Sequence, residues 1–331
     1  MLVTSANIVD VVARRSLSPD SFHRFTRAAL WSLVAIIITG AAVRLTGSGL
    51  GCSDWPNCEE GQLIPAADFH GWVEFANRMI TGLVSIAVVA AVLGSRWRNP
   101  RQPSLEWLSW GLVAGVVGQV ILGAITVRTH LSPPIVMAHF LLSMVLVANA
   151  VVLHHRADPA PVSISRQVPV RLRQLSWLVL LLSSVAVFTG TIVTASGPHG
   201  GDENVERLGF DLPDVARIHG GAIIVLVATT ILLLTLARRN DLDSNDLDGS
   251  NLVERKARTA VLIMFAQAGI GYVQYFTDVP TVLVAFHIAG ATTMWIAVLR
   301  LVLATGSGRT WRESGSPAPA AHQTQNDKMS A

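Results

Sequence analysis

The distribution of apolar residues divides the chain into eight long apolar runs separated by short polar segments. A helix needs about 20 mostly apolar residues to cross the hydrocarbon core of a bilayer. Each run is long enough, so each is predicted to be a membrane-spanning helix. The runs cover residues 27–43, 71–93, 107–127, 134–153, 174–195, 214–236, 258–276 and 281–303. The pattern therefore predicts an all-α polytopic membrane protein with eight transmembrane helices.

Composition agrees with this class of protein. Of the 331 residues, 51% are hydrophobic and only 14% are charged, which is too apolar for an ordinary soluble domain. The net charge of +3 could suit a nucleic-acid partner, but the basic residues are spread over short segments between the apolar runs. We therefore expect membrane lipid as the surrounding partner and no nucleic acid.

The connecting segments differ in positive charge, which predicts the topology. Arg and Lys concentrate in residues 1–26, 94–106, 154–173 and 237–257, whereas the alternate segments carry chiefly Arg44, Arg128 and Arg207. By the positive-inside rule the first set is cytoplasmic. We therefore expect a cell-membrane protein without a cleavable signal, with both termini in the cytoplasm and an outer loop at residues 44–70.

The second half of the chain repeats the first. Gln267, Gly271 and His287 each follow a like residue by 148 positions, namely Gln119, Gly123 and His139, and Thr189-Gly190 echoes Thr39-Gly40. Four helices in each half give both halves the same orientation in the membrane. We predict two four-helix bundles, residues 27–153 and 174–303. The remaining segments are an N-terminal segment (1–26), a linker (154–173) and a flexible tail (304–331), all cytoplasmic.

Three histidines lie at one depth in the predicted helices. His139, His219 and His287 are five to seven residues from the outer ends of runs 4, 6 and 8, roughly 8 to 10 Å below the surface. Two imidazoles in one bundle, from His219 and His287, suit a haem iron bound from both faces. In the first bundle Asn77 faces His139 instead.

Packing residues are the alternative interpretation of these histidines. A zinc or di-iron site is less favoured, since the required carboxylate and cysteine spacing is missing. The other histidines considered are predicted to be solvated loop residues: His23, His130, His154, His155, His199 and His322.

Glu74 is a carboxylate at the start of a spanning run, where a charge costs roughly 2 to 4 kcal/mol unless it has a role or a partner. It is either a catalytic acid or one member of an i,i+4 ion pair with Arg78. Cys52 and Cys58 are the only cysteines and lie in the predicted outer loop, where a disulfide can form. That disulfide would be either a structural staple or an exchangeable pair.

Several motifs carry a resemblance to a known family. They are the loop RLTGSGLGCSDWPNC, EFANR at the start of the second run, and VMAHFLL, ARIHG and AFHIAGA around the three histidines. Together, over about residues 25–303, the chain resembles the bacterial haem A synthase family. The resemblance implies a membrane oxidoreductase that converts the C8 methyl group of haem O into a formyl group, giving haem A for cytochrome c oxidase.

Matched position by position, the resemblance implies roles for individual residues. His219 and His287 match ligands of a haem b cofactor that would relay electrons, and His139 matches an axial ligand of the haem O substrate. Glu74 matches an acid important for activity, suited to moving protons. Cys52 and Cys58 match paired outer-loop cysteines. Asn77 departs from the family pattern, which has His at this position.

The sequence leaves several partners and two rival functions open. The family is associated with haem O synthase and with oxidase assembly factors, and a homo-oligomer is left open. Arg44, Arg128 and Arg217 are candidates to pair with haem propionates or to act as interfacial anchors. The rival functions are a non-catalytic b-type cytochrome electron carrier, which leaves Glu74 without a role, and a transporter, whose helices are usually broken near mid-membrane.

Overall fold

The structure is a computed structural model that describes residues 16–59, 61–159, 168–242 and 250–306. Throughout these residues the fold consists of helices and connections, with no strands. The helices are α1 (Pro19–Leu45), α2 (Phe69–Trp97), α3 (Pro103–Arg128), α4 (Pro133–Arg156), α5 (Val170–Ser196), α6 (Leu212–Leu242), α7 (Ser250–Phe276) and α8 (Thr281–Thr305). Every predicted run is thus a helix, and the predicted fold class is confirmed.

All eight helices are long and apolar enough to cross a membrane. Many of their large apolar side chains point outward, as in Trp107 with 78% of its surface exposed. Such exposure is expected where the surroundings are lipid rather than water. The protein is therefore a multi-pass membrane protein.

The helices extend beyond the apolar runs because polar caps and prolines set their first turns. Ser18 caps α1 by accepting a hydrogen bond from the Ser21 amide, and Asp68 caps α2 in the same way through the Gly71 amide. Residues 19–26, predicted to belong to an N-terminal segment, therefore form the first turns of α1. The segment at 243–249 and the tail from residue 307 lie outside the described residues.

The eight helices pack as two four-helix bundles. In the first bundle α1 contacts α2 and α4, and α3 contacts α2 and α4; in the second, α5 to α8 repeat the same ring of contacts. The bundles meet where α4 contacts α8, flanked by α1 with α8 and α4 with α5. Exchanging α1–α4 with α5–α8 gives the same set of helix contacts between the bundles. The bundles are therefore related by an approximate two-fold axis.

The connections after α1, α3, α5 and α7 lie at one end of the bundles, called here the loop face (residues 46–68, 129–132, 197–211 and 277–280). Hydrogen bonds join the two halves across it. Arg44 donates to the carbonyl oxygens of Thr194, at 3.0 Å, and His199, and the Gly49 amide donates to the Gly201 carbonyl at 2.8 Å. The loop face is therefore one continuous layer over both bundles.

The repeat extends to the short turns of this layer. His130 and Leu131 between α3 and α4 have positive φ, and so do Asp278 and Val279, 148 residues later, between α7 and α8. His199 adds a further tie, since its Nε2 lies 2.8 Å from the Val279 carbonyl oxygen. The turns at the mouths of both bundles thus have the same backbone conformation.

Three of the remaining histidines are not solvated loop residues, so that prediction is wrong for them. His23 on α1 stacks on His154 of α4 with ring centroids 4.1 Å apart, and Thr26 bonds the His154 ring at 3.0 Å. His199 is half-buried in the loop face. Sequence spacing could not reveal these contacts because their partners lie on distant helices. His155 is exposed as predicted but lies on the last turn of α4 rather than in a loop. His130 is an exposed loop residue, as predicted, and His322 lies outside the described residues.

Candidate functional site

The second bundle brings two predicted ligands together. His219, seven residues into α6, and His287, six residues into α8, have ring centroids 6.5 Å apart and planes inclined by 81°. With metal–nitrogen bonds of about 2 Å, a single ion bound between two imidazoles requires rings at about this separation. The donor set therefore fits an iron bound from two sides.

A hydrogen bond between Thr189 and His219 favours metal binding by His219. The Thr189 hydroxyl donates to the Val185 carbonyl at 2.9 Å, so at 3.0 Å it accepts from the Nδ1–H of His219. A proton on Nδ1 leaves Nε2 unprotonated, which is the form that binds a metal. The Thr189 contact thus fixes both the tautomer and the orientation of the ring.

Glycines give the imidazoles room. A Cβ placed on Gly190 would lie 3.1 Å from Cε1 of His219, and one on Gly271 would lie 3.2 Å from Cε1 of His287. Either methyl group would press on the ring beside it. These positions therefore favour glycine because of the close approach of a histidine.

The first bundle repeats half of this arrangement. His139 lies six residues into α4, and a Cβ on Gly123 would be 3.6 Å from its Cε1. Gln119 donates to the His139 carbonyl at 3.1 Å and to the Ser143 hydroxyl at 2.7 Å, which ties α3 to α4 at the level of the histidine. His139 therefore occupies the position of His287, as the repeat predicted.

Asn77 on α2 occupies the position that His219 has in the second bundle. The Thr39 hydroxyl donates to Oδ1 of Asn77 at 2.8 Å, just as Thr189 bonds the His219 ring. Gly40 differs from Gly190, because a Cβ placed on it would meet nothing within 4 Å. The first bundle therefore has one histidine, one amide and open space where the second has two histidines.

Glu74 is buried, with 6% of its surface exposed, and both its carboxylate oxygens are bonded. Oε2 accepts from the Cys52 amide at 2.8 Å, and Oε1 accepts from Nη2 and Nε of Arg78 at 2.6 and 3.1 Å. The predicted i,i+4 ion pair is thus present. It also has a second partner in the loop, which sequence spacing did not suggest.

Arg78 completes this cluster from the other side. Its Nη1 donates to the carbonyl oxygens of Asp54 and Asn57, at 3.1 and 2.8 Å, inside the loop between the two cysteines. One guanidinium therefore holds both the carboxylate and the loop that covers it. Arg78 therefore binds the loop backbone in addition to pairing with Glu74.

Cys52 and Cys58 form a disulfide, as predicted, and are 0% and 1% exposed. Thiol–disulfide exchange requires access to a sulfur atom, so this burial favours a structural staple over an exchangeable pair. The staple closes the loop from which Cys52 reaches Glu74 and on which Arg78 docks.

His70 was missed by the sequence reasoning, although it lies one helical turn before Glu74 on the same face of α2. Its Nδ1 lies 2.9 Å from the Ser48 hydroxyl, which in turn bonds Thr46 at 2.8 Å. These contacts fasten the start of the loop to the start of α2. The one-turn spacing from Glu74 was the available signal.

The three arginines proposed for propionates have different surroundings. Arg44 donates to loop carbonyls, as described above, and is thus already engaged. Arg217 forms an exposed ion pair with Asp214 at 2.8 Å, and Arg128 is exposed at the end of α3. Arg128 and Arg217 are therefore the better placed of the three to meet an anionic group. Across the described ranges, no group of three or more His, Cys, Asp or Glu residues could hold a metal ion.

Comparisons with known proteins agree with these features. The sequence signature of the COX15-CtaA family, described as cytochrome oxidase assembly protein, matches residues 23–198, more than half of the chain. The chain is 34% identical over 128 residues to heme A synthase of Geobacillus kaustophilus (strain HTA426), covering 38% of this chain and 39% of the relative.

Two other relatives carry the same name. Heme A synthase of Exiguobacterium sibiricum is 26% identical over 52% of this chain and 59% of its own length. Heme A synthase of Shewanella oneidensis is 25% identical over 88% of this chain and 97% of its own length. The chain thus spans less than two thirds of the first two of these relatives and nearly all of the third. From the family match, the chain belongs to the COX15-CtaA family of cytochrome oxidase assembly proteins.

Proposed function

We propose that this protein is a haem A synthase, an oxidoreductase acting on a CH group that converts the C8 methyl of haem O into a formyl group. The product, haem A, would serve cytochrome c oxidase. The observation that carries the proposal is the duplicated histidine level, with two facing imidazoles in the second bundle and one in the first. The relatives named heme A synthase support the same activity.

In the second bundle His219 and His287 would hold a haem b cofactor. The ring separation of 6.5 Å and the tautomer set by Thr189 both fit two histidines that would hold one iron. When bound, a haem with two histidine ligands supplies one-electron transfer. The polypeptide contributes the orientation of the rings and an apolar surround for them.

In the first bundle His139 would bind the iron of the substrate, haem O. Asn77 would face the opposite side of the same iron, and an amide is a poor iron ligand. A substrate with one protein ligand is released more readily than a cofactor with two. The ligand count therefore supports assigning the substrate to the first bundle and the cofactor to the second.

Glu74 would handle protons at the substrate. With water as the source of oxygen, converting a methyl group into a formyl group replaces C–H bonds with bonds to oxygen and releases protons together with electrons, so a nearby base is required. An ionised carboxylate offers about four acceptor positions, and the Cys52 amide and Arg78 use three of them. The Gly51 amide also lies beside the carboxylate, so uptake of a proton would replace an amide contact while Arg78 keeps the carboxylate in place.

The proposed location is a bacterial cytoplasmic membrane, with both termini in the cytoplasm and the loop face outside. The charge distribution supports this orientation, and so does a disulfide in the loop, because such bonds persist outside the reducing cytoplasm. Haem O synthase and oxidase assembly factors are the proposed protein partners.

The decisive experiment expresses the protein in a heterologous host supplied with haem O, followed by extraction and chromatography of the haems. Haem A is expected from the wild type, and Glu74→Gln should leave haem O or a hydroxylated intermediate. A non-catalytic electron carrier would yield no haem A. If Glu74→Gln made normal haem A and only lowered stability, Glu74 would be a structural ion-pair residue.

The cofactor assignment has a separate spectroscopic test. His219→Ala and His287→Ala should each remove the low-spin b-type spectrum of the purified protein, because each removes one of two axial ligands. Thr235→Ala, an exposed position on α6 sixteen residues from His219, is the control and should keep the spectrum. An unchanged spectrum in both histidine variants would contradict the cofactor site.

A further inference from the structure

The equivalent threonines in the two bundles differ in hydrogen bonding. Thr189 donates to a backbone carbonyl at 2.9 Å and accepts from His219. The Thr39 hydroxyl lies 3.3 Å from the Ile36 carbonyl but 2.8 Å from Oδ1 of Asn77, so its single proton goes to Asn77. The direction of the side-chain hydrogen bond is thus reversed in the first bundle.

This reversal determines which atoms of Asn77 are available. Its Oδ1 is occupied by Thr39, whereas Nδ2 has no acceptor in the part of the chain that the structure describes. A primary amide carries two N–H donors. Asn77 therefore presents both N–H donors of Nδ2 at the level of His139, while its Oδ1 is held by Thr39.

Space beside Asn77 is the second observation. The imidazole of His219 fills the volume over Gly190, with Cε1 3.1 Å from a Cβ built there. Over Gly40 there is no atom within 4 Å of the corresponding Cβ. The shorter amide thus leaves open the volume that a second axial ligand takes in the other bundle.

We propose that Asn77 donates a hydrogen bond through Nδ2 to a small oxygen-containing or anionic ligand on the open face of the substrate iron. This inference rests on the proposed function, since it requires haem O bound through His139. The ligand class follows from the site: a donor favours an atom carrying negative charge, and the space over Gly40 admits a ligand of few atoms.

The role proposed for Thr39 is to position this donor. Without its hydroxyl the amide can turn, so that either Oδ1 or Nδ2 faces the iron. A preorganised donor stabilises developing charge better than a mobile one because it need not reorient when the charge appears. Thr39 therefore acts through Asn77 and has no direct contact with the ligand.

The test uses haem O-loaded, reduced full-length protein with carbon monoxide as probe, and the oxidised protein with azide. The bis-histidine haem of the second bundle has no open position, so both probes report on the first. Asn77→Ala should raise the C–O stretching frequency and weaken azide binding about tenfold, as loss of a hydrogen bond to a charged group predicts. Thr39→Val should change both in the same direction by less.

Asn149→Ala is the matched control. Asn149 is a half-buried amide on α4 that donates to the Leu108 carbonyl at 3.0 Å, and its ten-residue distance from His139 corresponds to about 15 Å of helix. This variant should leave both probes unchanged. His139→Ala should abolish the carbon monoxide signal, because it removes the protein ligand of the substrate.

The outcomes separate this inference from the proposed function. If His139→Ala leaves the carbon monoxide signal intact, the assignment of the substrate site is wrong. If His139→Ala abolishes the signal while Asn77→Ala and Thr39→Val alter neither probe, the substrate site stands and the hydrogen-bond donor is overturned. Should Asn77→Ala fail to fold, Thr39→Val, which retains the amide, decides the question.

Discussion

The two bundles share one scaffold and differ at the positions where chemistry is expected. Both place a threonine, a glycine and a histidine at the same level, yet the second bundle has His219 where the first has Asn77. The acid differs as well, since Glu74 corresponds to Ala216 in the repeat. Few substitutions on a duplicated fold are therefore enough to distinguish a proposed cofactor site from a proposed reaction site.

The loops add a second difference. In the first bundle the loop at 46–68 carries the disulfide and contacts Glu74 and Arg78, whereas position 220, the repeat equivalent of Arg78, is glycine. The second bundle thus lacks both members of the buried ion pair at these positions. Among the described residues, the loop over the bundle proposed to bind substrate is therefore the one that is closed by a disulfide and bound to a buried ion pair.

Asn77→His is the change with the largest expected effect on the reaction, because it would give the first bundle the same pair of histidines as the second. The space over Gly40 can accommodate the ring, and Thr39 can orient it as Thr189 orients His219. We expect a six-coordinate low-spin spectrum from the first bundle and haem A formation slower by about tenfold or more, an increase of ~1.4 kcal/mol in the barrier. An unchanged spectrum would show that Asn77 does not face the iron.

Arg78→Met tests the buried cluster on α2 and should lower stability by roughly 3 kcal/mol or more, because it leaves the buried Glu74 carboxylate unpaired. Arg217→Met is the matched variant on α6. Its ion pair with Asp214 is exposed, and such pairs contribute only about 0 to 1 kcal/mol. Thermal unfolding in detergent measures both, and equal losses would contradict the different roles of the two arginines.

Gly190→Ala and Gly40→Ala form a pair that compares the space in the two bundles. A methyl group at 190 lies 3.1 Å from the His219 ring and should perturb the low-spin spectrum of the second bundle. The methyl group at 40 meets nothing within 4 Å and should leave the ligand-free protein unaltered. Absorption spectra and melting temperatures measure both effects, and equal responses would refute the open space over Gly40.

Ser143→Ala should have the smallest effect. It removes the 2.7 Å hydrogen bond from Gln119, while the bond from Gln119 to the His139 carbonyl remains. The second bundle already has alanine at the equivalent position, 291. A loss of about 1 kcal/mol or less is expected from thermal unfolding, and a loss several times larger would show that Ser143 has a role special to the first bundle.

The sequence predicted the features that depend on periodicity and spacing. The eight helices, the repeat and the common depth of the histidines all follow from such regularities. The start of α1 was placed too late, because residues 19–26 are polar although Ser18 and Pro19 give a helix-start signal.

Contacts between distant segments could not be predicted in this way. The bond from the Cys52 amide to Glu74 and the contact of Arg44 with the second half depend on how loops fold over the bundles. The stacking of His23 on His154 depends on the pairing of α1 with α4. Local sequence patterns do not indicate which distant segments contact one another, so only the folded structure reveals these contacts.

The contact between α4 and α8 has a consequence for electron flow. These helices carry His139 and His287, and the Trp295 indole of α8 donates to the Met144 carbonyl of α4 at 2.9 Å across the contact. Packed helices lie about 8 to 10 Å apart. Under the proposed function, an electron passing from the substrate to the cofactor would cross this single helix–helix interface.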